Sequence, residues 1–285
     1  MQDLVINSCP GIGDGPCCFQ PTRISAGENT VFQCNNCGIG VTLPEIDDVA
    51  SLYTDRESWD FQPRSSTLAL ALKRIAFRAR ARSFLQMVPN GQHIIADYGC
   101  GSGLFTSCVN DVAGTRVFAL DFHDNAPVEL DGPIYLPFSR QHEIAGMADL
   151  LIASHVLEHE TDPVALLRRM AEVVKPGGHI ILEVPNVDCW GATVFGIRWD
   201  GWYLPFHRIH FSRISLRATA ERAGLVVLAE RDVSVPTMGR TLANLLGRNY
   251  SFAFLLAGAV LQPIQWLIER LTRRPSALRM VCRKA

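Results

Sequence analysis

From residue 93 onward the chain alternates short apolar runs with stretches of helical period. HIIADYG (93–99), RVFALD (116–121), ADLLIAS (148–154) and HIILEVP (179–185) have strand length and are apolar at successive positions, as in strands buried on both faces. TDPVALLRRMAEVV (161–174) has helical spacing; Thr161 serves as its N-cap, Pro163 falls in its first turn, and KPGG (175–178) cannot continue it. This alternation predicts an α/β fold built on a doubly wound, mostly parallel sheet. Upstream, Leu68, Leu72, Ile75, Ala76, Ala79, Phe84 and Leu85 recur beside arginines, which predicts an amphipathic helix over 65–88. Near the C-terminus, SFAFLLAGAVLQPIQWLI (251–268) carries no charge. As a helix it would reach about 27 Å, the lower limit for a bilayer crossing, but Pro263 and two glutamines weaken that reading.

Charge adds a division that hydrophobicity alone does not show. Residues 1–60 hold nine acids against Arg23 and Arg56, whereas 64–88 hold six basic residues and no acid, so a boundary is expected near 60–64, at Pro63. The 285 residues then divide into a small segment, 1–60, and one large domain, 61–285. Over the whole chain 27 Lys+Arg balance 28 Asp+Glu, which disfavours a non-specific nucleic-acid binder. The first residues lack the basic, apolar, small-residue order of a secretory signal, and the expected compartment is the cytoplasm.

Two motifs carry chemistry. DYGCGSG (97–103) follows an apolar strand, and Gly99, Gly101 and Gly103 let the backbone turn and approach a ligand closely. A dinucleotide fingerprint needs a third glycine where Leu104 stands, which argues against NAD or FAD. The spacing present is D-x-G-x-G-x-G, and Asp97 can hold an ammonium group where it would repel a pyrophosphate. Asp121, at the end of the second strand, can accept from both hydroxyls of a ribose, with Phe122 beside it as an adenine-facing surface. The second motif is a cysteine cluster: Cys9, Cys17, Cys18, Cys34 and Cys37 all precede residue 38. In a reduced compartment such clustering points to metal. Cys34-x-x-Cys37-Gly has the form of a zinc knuckle, and the set read here is Cys9, Cys17, Cys34 and Cys37, with Cys18 as the alternative to Cys17.

The glycine loop and Asp121 together resemble the S-adenosylmethionine (SAM) site of class I methyltransferases. HVLEHETDPVALLRRMAEVVKPGGHIILEVPN (155–186) is similar to the fourth strand, helix and fifth strand of those enzymes. YLPFHRIHFSRISLRATAERAGLVV (203–227) is similar to the histidine-bearing segment of the ubiquinone-type and sugar- or polysaccharide-cluster subgroup. The resemblance implies a Rossmann-like sheet of seven strands with LRMVCRKA (278–285) as its last, antiparallel strand. Residues 236–274 then form a helical insertion before that strand, which forbids a true membrane crossing. It also implies SAM as cofactor, with Cys100, Ser154 and His155 joining Asp97, Gly99, Gly101, Gly103, Asp121 and Phe122 in its site. The helix usual between the second and third strands is shortened to something like DNAPVEL, and IYLPFSRQ (134–141) offers adenine only backbone groups and Ser139. Methyltransferases of this subgroup often carry an N-terminal zinc ribbon followed by a segment like 34–55, which implies a structural zinc here.

Beyond the carboxyl end of the sheet stand His155, Glu158 and His159, with His207 and His210 in the later segment. A neutral imidazole there can take a hydroxyl proton as a methyl transfers, so His207, His210 and His159 are the candidate catalytic residues. The expected acceptor is a small molecule, a sugar or a lipid-linked compound, methylated on oxygen. Two alternatives come from other classes: an RNA methyltransferase with a zinc ribbon, against which the acidic N-terminal segment counts, and a non-catalytic zinc-ribbon module on a retained SAM fold. The apolar insertion is expected to make a peripheral contact with the inner membrane face or a homodimer.

Overall fold

The structure, a computed structural model, describes residues 4–10, 13–44, 67–89, 91 and 93–285; the side chains of 4–8, 13–17 and 67–69 lie outside that description. The expected boundary near 60–64 also falls outside it.

The chain opens with β1 (Leu4–Cys9), β2 (Gly13–Ala26), β3 (Asn29–Cys34) and β4 (Gly40–Leu43), each antiparallel to the next. Helix α1 (Thr67–Leu85) leads into β5 (Ile94–Tyr98), α2 (Leu104–Ala113), β6 (Arg116–Asp121), β7 (Ile134–Pro137) and β8 (Ala148–Ser154). Then come α3 (Pro163–Val173), β9 (Val174–Pro185), α4 (Trp190–Phe195), β10 (Ile209–His210), α5 (Arg213–Arg222) and β11 (Leu225–Val233). The insertion consists of α6 (Met238–Leu245) and α7 (Phe252–Thr272), and β12 (Ala277–Lys284) closes the chain.

The large sheet has the order β7-β6-β5-β8-β9-β12-β11, and only β12 runs antiparallel to its neighbours. This is the doubly wound, mostly parallel sheet that the alternation predicts, with the seven strands and antiparallel last strand that the resemblance implies. Alternation divides its core in two. Leu150 and Ile152 of β8 pack with Ala81 and Phe84 of α1 and Val109 of α2, while Leu151 and Ala153 face Leu167 and Met170 of α3 and Leu216 of α5. The chain leaves β5 toward β6 and returns on the other side as β8. That reversal opens a crevice at the carboxyl ends of the strands, where ligands bind in such sheets.

Three local expectations are corrected. Asp162, not Thr161, caps α3: its carboxylate accepts from Ala165 N at 2.9 Å, because Pro163 takes the first helical position and leaves the cap to the residue before it. Helix α1 forms, yet Leu72 and Ile75 are exposed and the inward residues are Phe77, Arg80, Ala81 and Phe84. An arginine-rich helix has two candidate faces, and the sheet selects the one carrying Phe84. Between β6 and β7 the described residues form turns and no helix.

The N-terminal strands do not close on themselves. Their sheet continues as β1-β2-β3-β4-β10, with Ile209 opposite Val41 and His210 opposite Gly40. Gly40 is required there, since a Cβ would lie 2.9 Å from His210 Cβ. Side chains strengthen the junction: Ser212 Oγ donates to Cys37 O at 2.7 Å, and Arg222 donates to Cys9 O at 3.0 Å.

Candidate active site

The glycine loop leaves β5 with Gly99, Gly101 and Gly103 all at positive φ. A Cβ on Gly99 would sit 2.5 Å from Val156 Cγ2, and one on Gly103 would meet Leu130 at 2.7 Å, so side chains are excluded by packing as well as by conformation. Asp121 organises this turn. Its Oδ2 accepts from Gly101 N at 2.8 Å and its Oδ1 from Phe122 N at 2.8 Å. Burial pushes the Asp121 carboxyl upward, and the two amides oppose that shift. The Cys100 thiol is a third donor to this carboxylate, which leaves it acceptor capacity for one further hydrogen bond from a ligand. Asp97 lies deeper, 3% exposed, and accepts from Thr106 Oγ1 at 2.5 Å. Burial raises its pKa to about 7, against the pull of the Thr106 bond.

A cleft of about 680 Å³ opens over this loop, walled by Gly99, Gly101, Asp121, Phe122, His155 and Phe138 among others. Asp97, Cys100 and Gly103 support the loop from outside that wall, and Ser154 accepts from Arg80 Nη2 at 2.5 Å. Phe138 is a surface that sequence reading misses. It stacks on Tyr98 with centroids 4.5 Å apart, and Tyr98 OH donates to Gln141 at 3.1 Å. Aromatic residues just past the third strand were the available signal.

A second cavity, about 390 Å³, adjoins the first and shares His155 and His159 with it. Its wall includes Arg80, Tyr203, His207, Thr237 and Arg240. His155 has φ 58°, unusual for a residue with a Cβ. It donates from Nδ1 to Glu158 Oε1 at 3.1 Å, with Nε2 lying 3.6 Å from Glu183 Oε1. His159 donates from Nδ1 to Phe206 O at 3.1 Å. His207 donates from Nδ1 to Gly201 O at 3.0 Å, which fixes the tautomer and leaves the lone pair on Nε2, 3.9 Å from Glu158 Oε1. Burial, with His159 and His210 nearby, holds His207 well below the usual imidazole range. It is therefore neutral near pH 7.

Glu158 is 1% exposed, and its Oε2 has no hydrogen-bond partner among the described residues. The donor atoms of Glu158, His159 and His207 lie within 4.8 Å of one another, close enough to share a cation or an acceptor hydroxyl. His210 is placed elsewhere. Thr42 Oγ1 gives its proton to His207 O at 2.7 Å and takes one from His210 Nε2 at 2.8 Å, so His210 joins the N-terminal sheet to the loop behind the cavity. Burial pushes its pKa down to about 3.

Beneath both cavities Glu183 of β9, 0% exposed, accepts from Arg279 Nε at 2.7 Å and pairs with Arg80 through its other oxygen. Sequence reading passes over this network, although a single carboxylate inside the apolar run HIILEVP was a readable signal.

In the N-terminal sheet, Cys9 Sγ lies 3.7 Å from Cys37 Sγ and 4.0 Å from Cys34 Sγ. All three are buried. Cys17 stands opposite Ile6 in the β1–β2 register, and its side chain lies outside the described residues. Cys18 is described and is not part of the cluster.

Comparison with known proteins agrees with this geometry. A ubiquinone biosynthesis O-methyltransferase of Xanthomonas axonopodis pv. citri (strain 306) is 29% identical over 157 residues, covering 49% of this chain and 65% of that protein. The corresponding protein of Cronobacter sakazakii (strain ATCC BAA-894) is 27% identical over 167 residues, covering 54% and 65%. The chain thus spans just under two thirds of the length of these relatives. Among solved structures, the Burkholderia thailandensis 1,6-didemethyltoxoflavin-N1-methyltransferase with bound 1,6-didemethyltoxoflavin and S-adenosylhomocysteine superposes with a TM-score of 0.53. Its identity is 16%, over 93% of this chain and 99% of that one, a likeness of fold. The profile of the methyltransferase domain matches residues 66–230, more than half of the chain. By fold, glycine loop and profile, this chain belongs to the methyltransferase domain family.

Proposed function

We propose that the chain is a SAM-dependent methyltransferase that methylates a hydroxyl of a small-molecule acceptor, with a sugar or lipid-linked compound as the finer reading and the cytoplasm as its compartment. The observation that carries this is the junction of two cavities at His155 and His159, one walled by the glycine loop and Asp121, the other by His207. The first fits the cofactor. Its volume lies within the range of roughly 300–1,000 Å³ usual for small-molecule sites, its floor includes the glycine-loop backbone, and the Asp121 carboxylate keeps acceptor capacity for a ribose hydroxyl.

SAM supplies a methyl group already activated on a sulfonium, so this chain's own residues need only align the acceptor and take its proton. Asp121 and the loop would hold the nucleoside end, and Phe122 and Phe138, which wall the same cleft, would supply its apolar surface. In the second cavity the wall residues would hold the acceptor oxygen in line with the methyl group: as that oxygen bonds the methyl carbon, the methyl–sulfur bond would break, the sulfur leaving as a neutral thioether, and the hydroxyl proton would pass to His207 Nε2. Glu158, 3.9 Å from that nitrogen, stabilises the charge that develops on the ring.

The test is binding and transfer by the full chain. Asp121→Ala is expected to weaken SAM by about 1.5–3 kcal/mol, because the variant loses both the ribose acceptor and the anchor of Gly101. Calorimetry finding wild-type affinity would remove Asp121 from the site. Labelled methyl appearing in RNA rather than in small molecules or lipids would favour the nucleic-acid reading, and SAM binding without any transfer would favour a non-catalytic module.

The cysteine cluster is part of the same proposal. Buried thiols of Cys9, Cys34 and Cys37 with Sγ atoms within 4.8 Å of one another suit a tetrahedral zinc, with Cys17 as the fourth ligand. Cys37→Ser is expected to release zinc, and through Ser212 and β10 to lower the melting temperature, while SAM binding persists. Metal analysis of freshly purified, reduced protein that finds no zinc would remove the ribbon.

A further inference from the structure

Helix α7 has its polarity reversed. In a helix on a soluble protein the apolar stripe faces the core and the polar residues face water. Here Gln262, Gln265 and Glu269 face inward. Gln265 Nε2 donates to Val235 O at 2.7 Å and to Glu269 Oε1 at 2.7 Å, and Gln262 Nε2 donates to Ser234 Oγ at 3.1 Å. Gly258 brings α7 so close to α6 that a Cβ on it would lie 2.9 Å from Gly239 N. These contacts fix the rotation of the helix. The face left outside carries Leu256, Val260, Ile264, Leu267 and Leu271, between 47% and 75% exposed, with Trp266 beside them. A contiguous apolar face of this kind marks an interaction surface.

Charge decides between occupants. The insertion holds five arginines and one acid, and that acid, Glu269, is buried. Arg248 before the helix and Arg270 and Arg273 at its end are exposed, and none makes an ion pair among the described residues. Arg274 is spent within the fold, donating to Asp188 O at 2.6 Å and to Thr193 Oγ1 at 2.7 Å. A second copy would bring these arginines toward their own kind across a two-fold axis. An anionic bilayer offers hydrocarbon to the stripe and headgroups to the arginines.

We propose that α7 is a membrane-docking helix that lies flat in the headgroup region of an anionic bilayer. It cannot cross. The chain leaves β11 before the helix and returns after it to pair as β12 between β9 and β11, so both ends of α7 stay on the protein's side. The same insertion contributes Thr237 and Arg240 to the wall of the second cavity. Where that cavity takes the acceptor, as the preceding reading has it, docking sets its mouth at the level from which an amphiphilic acceptor would enter.

The experiment is flotation of the full chain with phosphatidylcholine vesicles, with and without phosphatidylglycerol. Binding is expected with the anionic vesicles only, and raised salt should release it. Val260→Glu should lower partition by about tenfold, and Arg270→Glu and Arg273→Glu each by about fivefold or more. All three positions are exposed, so SAM affinity and melting temperature should stay at wild-type values, which separates failure of docking from failure of the methyltransferase reading. Three results overturn the proposal. One is no flotation with anionic vesicles. Another is a dimer in solution that Val260→Glu dissociates, which would assign the face to a second copy. The third is resistance to alkaline carbonate extraction from membranes, which would mean an integral span.

Discussion

Glu183→Ala is expected to destabilise the protein by about 3–5 kcal/mol, a large fraction of the stability of a typical domain. Glu183 lies opposite Arg279 in the β9–β12 register, and both side chains are buried. The carboxylate accepts from Arg279 Nε at 2.7 Å and Nη2 at 2.6 Å and pairs with Arg80, so its removal leaves two guanidinium groups facing each other without a counter-charge. Arg279 also stacks on Phe84 at 3.7 Å from the ring centroid and cannot swing out to water without uncovering that core. Glu183→Gln keeps the shape and loses the charge, and should fall between wild type and Ala. The acid limb carries a second signature. Burial alone would raise the Glu183 pKa, but Arg80 and Arg279 hold it at about 2, below the model-peptide value of 4.5. Its contribution is therefore complete above pH 4.5 and is lost as pH falls toward 2, so Glu183→Ala should flatten the stability profile in that window. Urea unfolding with an unchanged slope and a midpoint near wild type would show that the network is dispensable.

His207→Ala is expected to lower turnover by about 10²-fold or more while SAM affinity stays at the wild-type value, as for a base that acts on the acceptor alone. The Gly201 carbonyl orients the ring, and Glu158 stands ready to stabilise the imidazolium. Because burial holds His207 well below its usual range, the ring is neutral and the acid limb of the rate profile should lie well below pH 6.5. Glu158→Gln should preserve SAM binding and reduce turnover less than loss of the ring does. If turnover instead depends on an added divalent cation, and His207→Ala weakens that dependence, then His207 is a ligand in the group formed with Glu158 and His159 and not a base. Intact turnover in the variant would make His207 structural.

The parallel sheet was legible because its strands are buried on both faces, and a residue run such as ADLLIAS reports that burial without reference to anything distant. The glycine loop and Asp121 were legible for a related reason: the turn needs positive φ at successive positions, and the carboxylate that anchors it stands at a strand end a short way downstream. The insertion and the antiparallel last strand followed from resemblance, and the strand pairing agrees.

What the tertiary structure alone decided lies where partners are far apart in sequence. Periodicity in α1 cannot tell which face of an arginine-rich helix is inward, and Arg80 turns in because Glu183 waits on β9. His210 has the chemistry of a base, but Thr42 and Gly40 of the N-terminal sheet claim it through β10. The uncharged run at 251–268 has the length of a span and reads as a helical insertion, but which of its faces is outward is decided only where Gln265 and Glu269 point inward and the leucines outward. Local patterns report how much of a residue is buried. Which face is buried, and against which charge, depends on contacts that only the folded chain supplies.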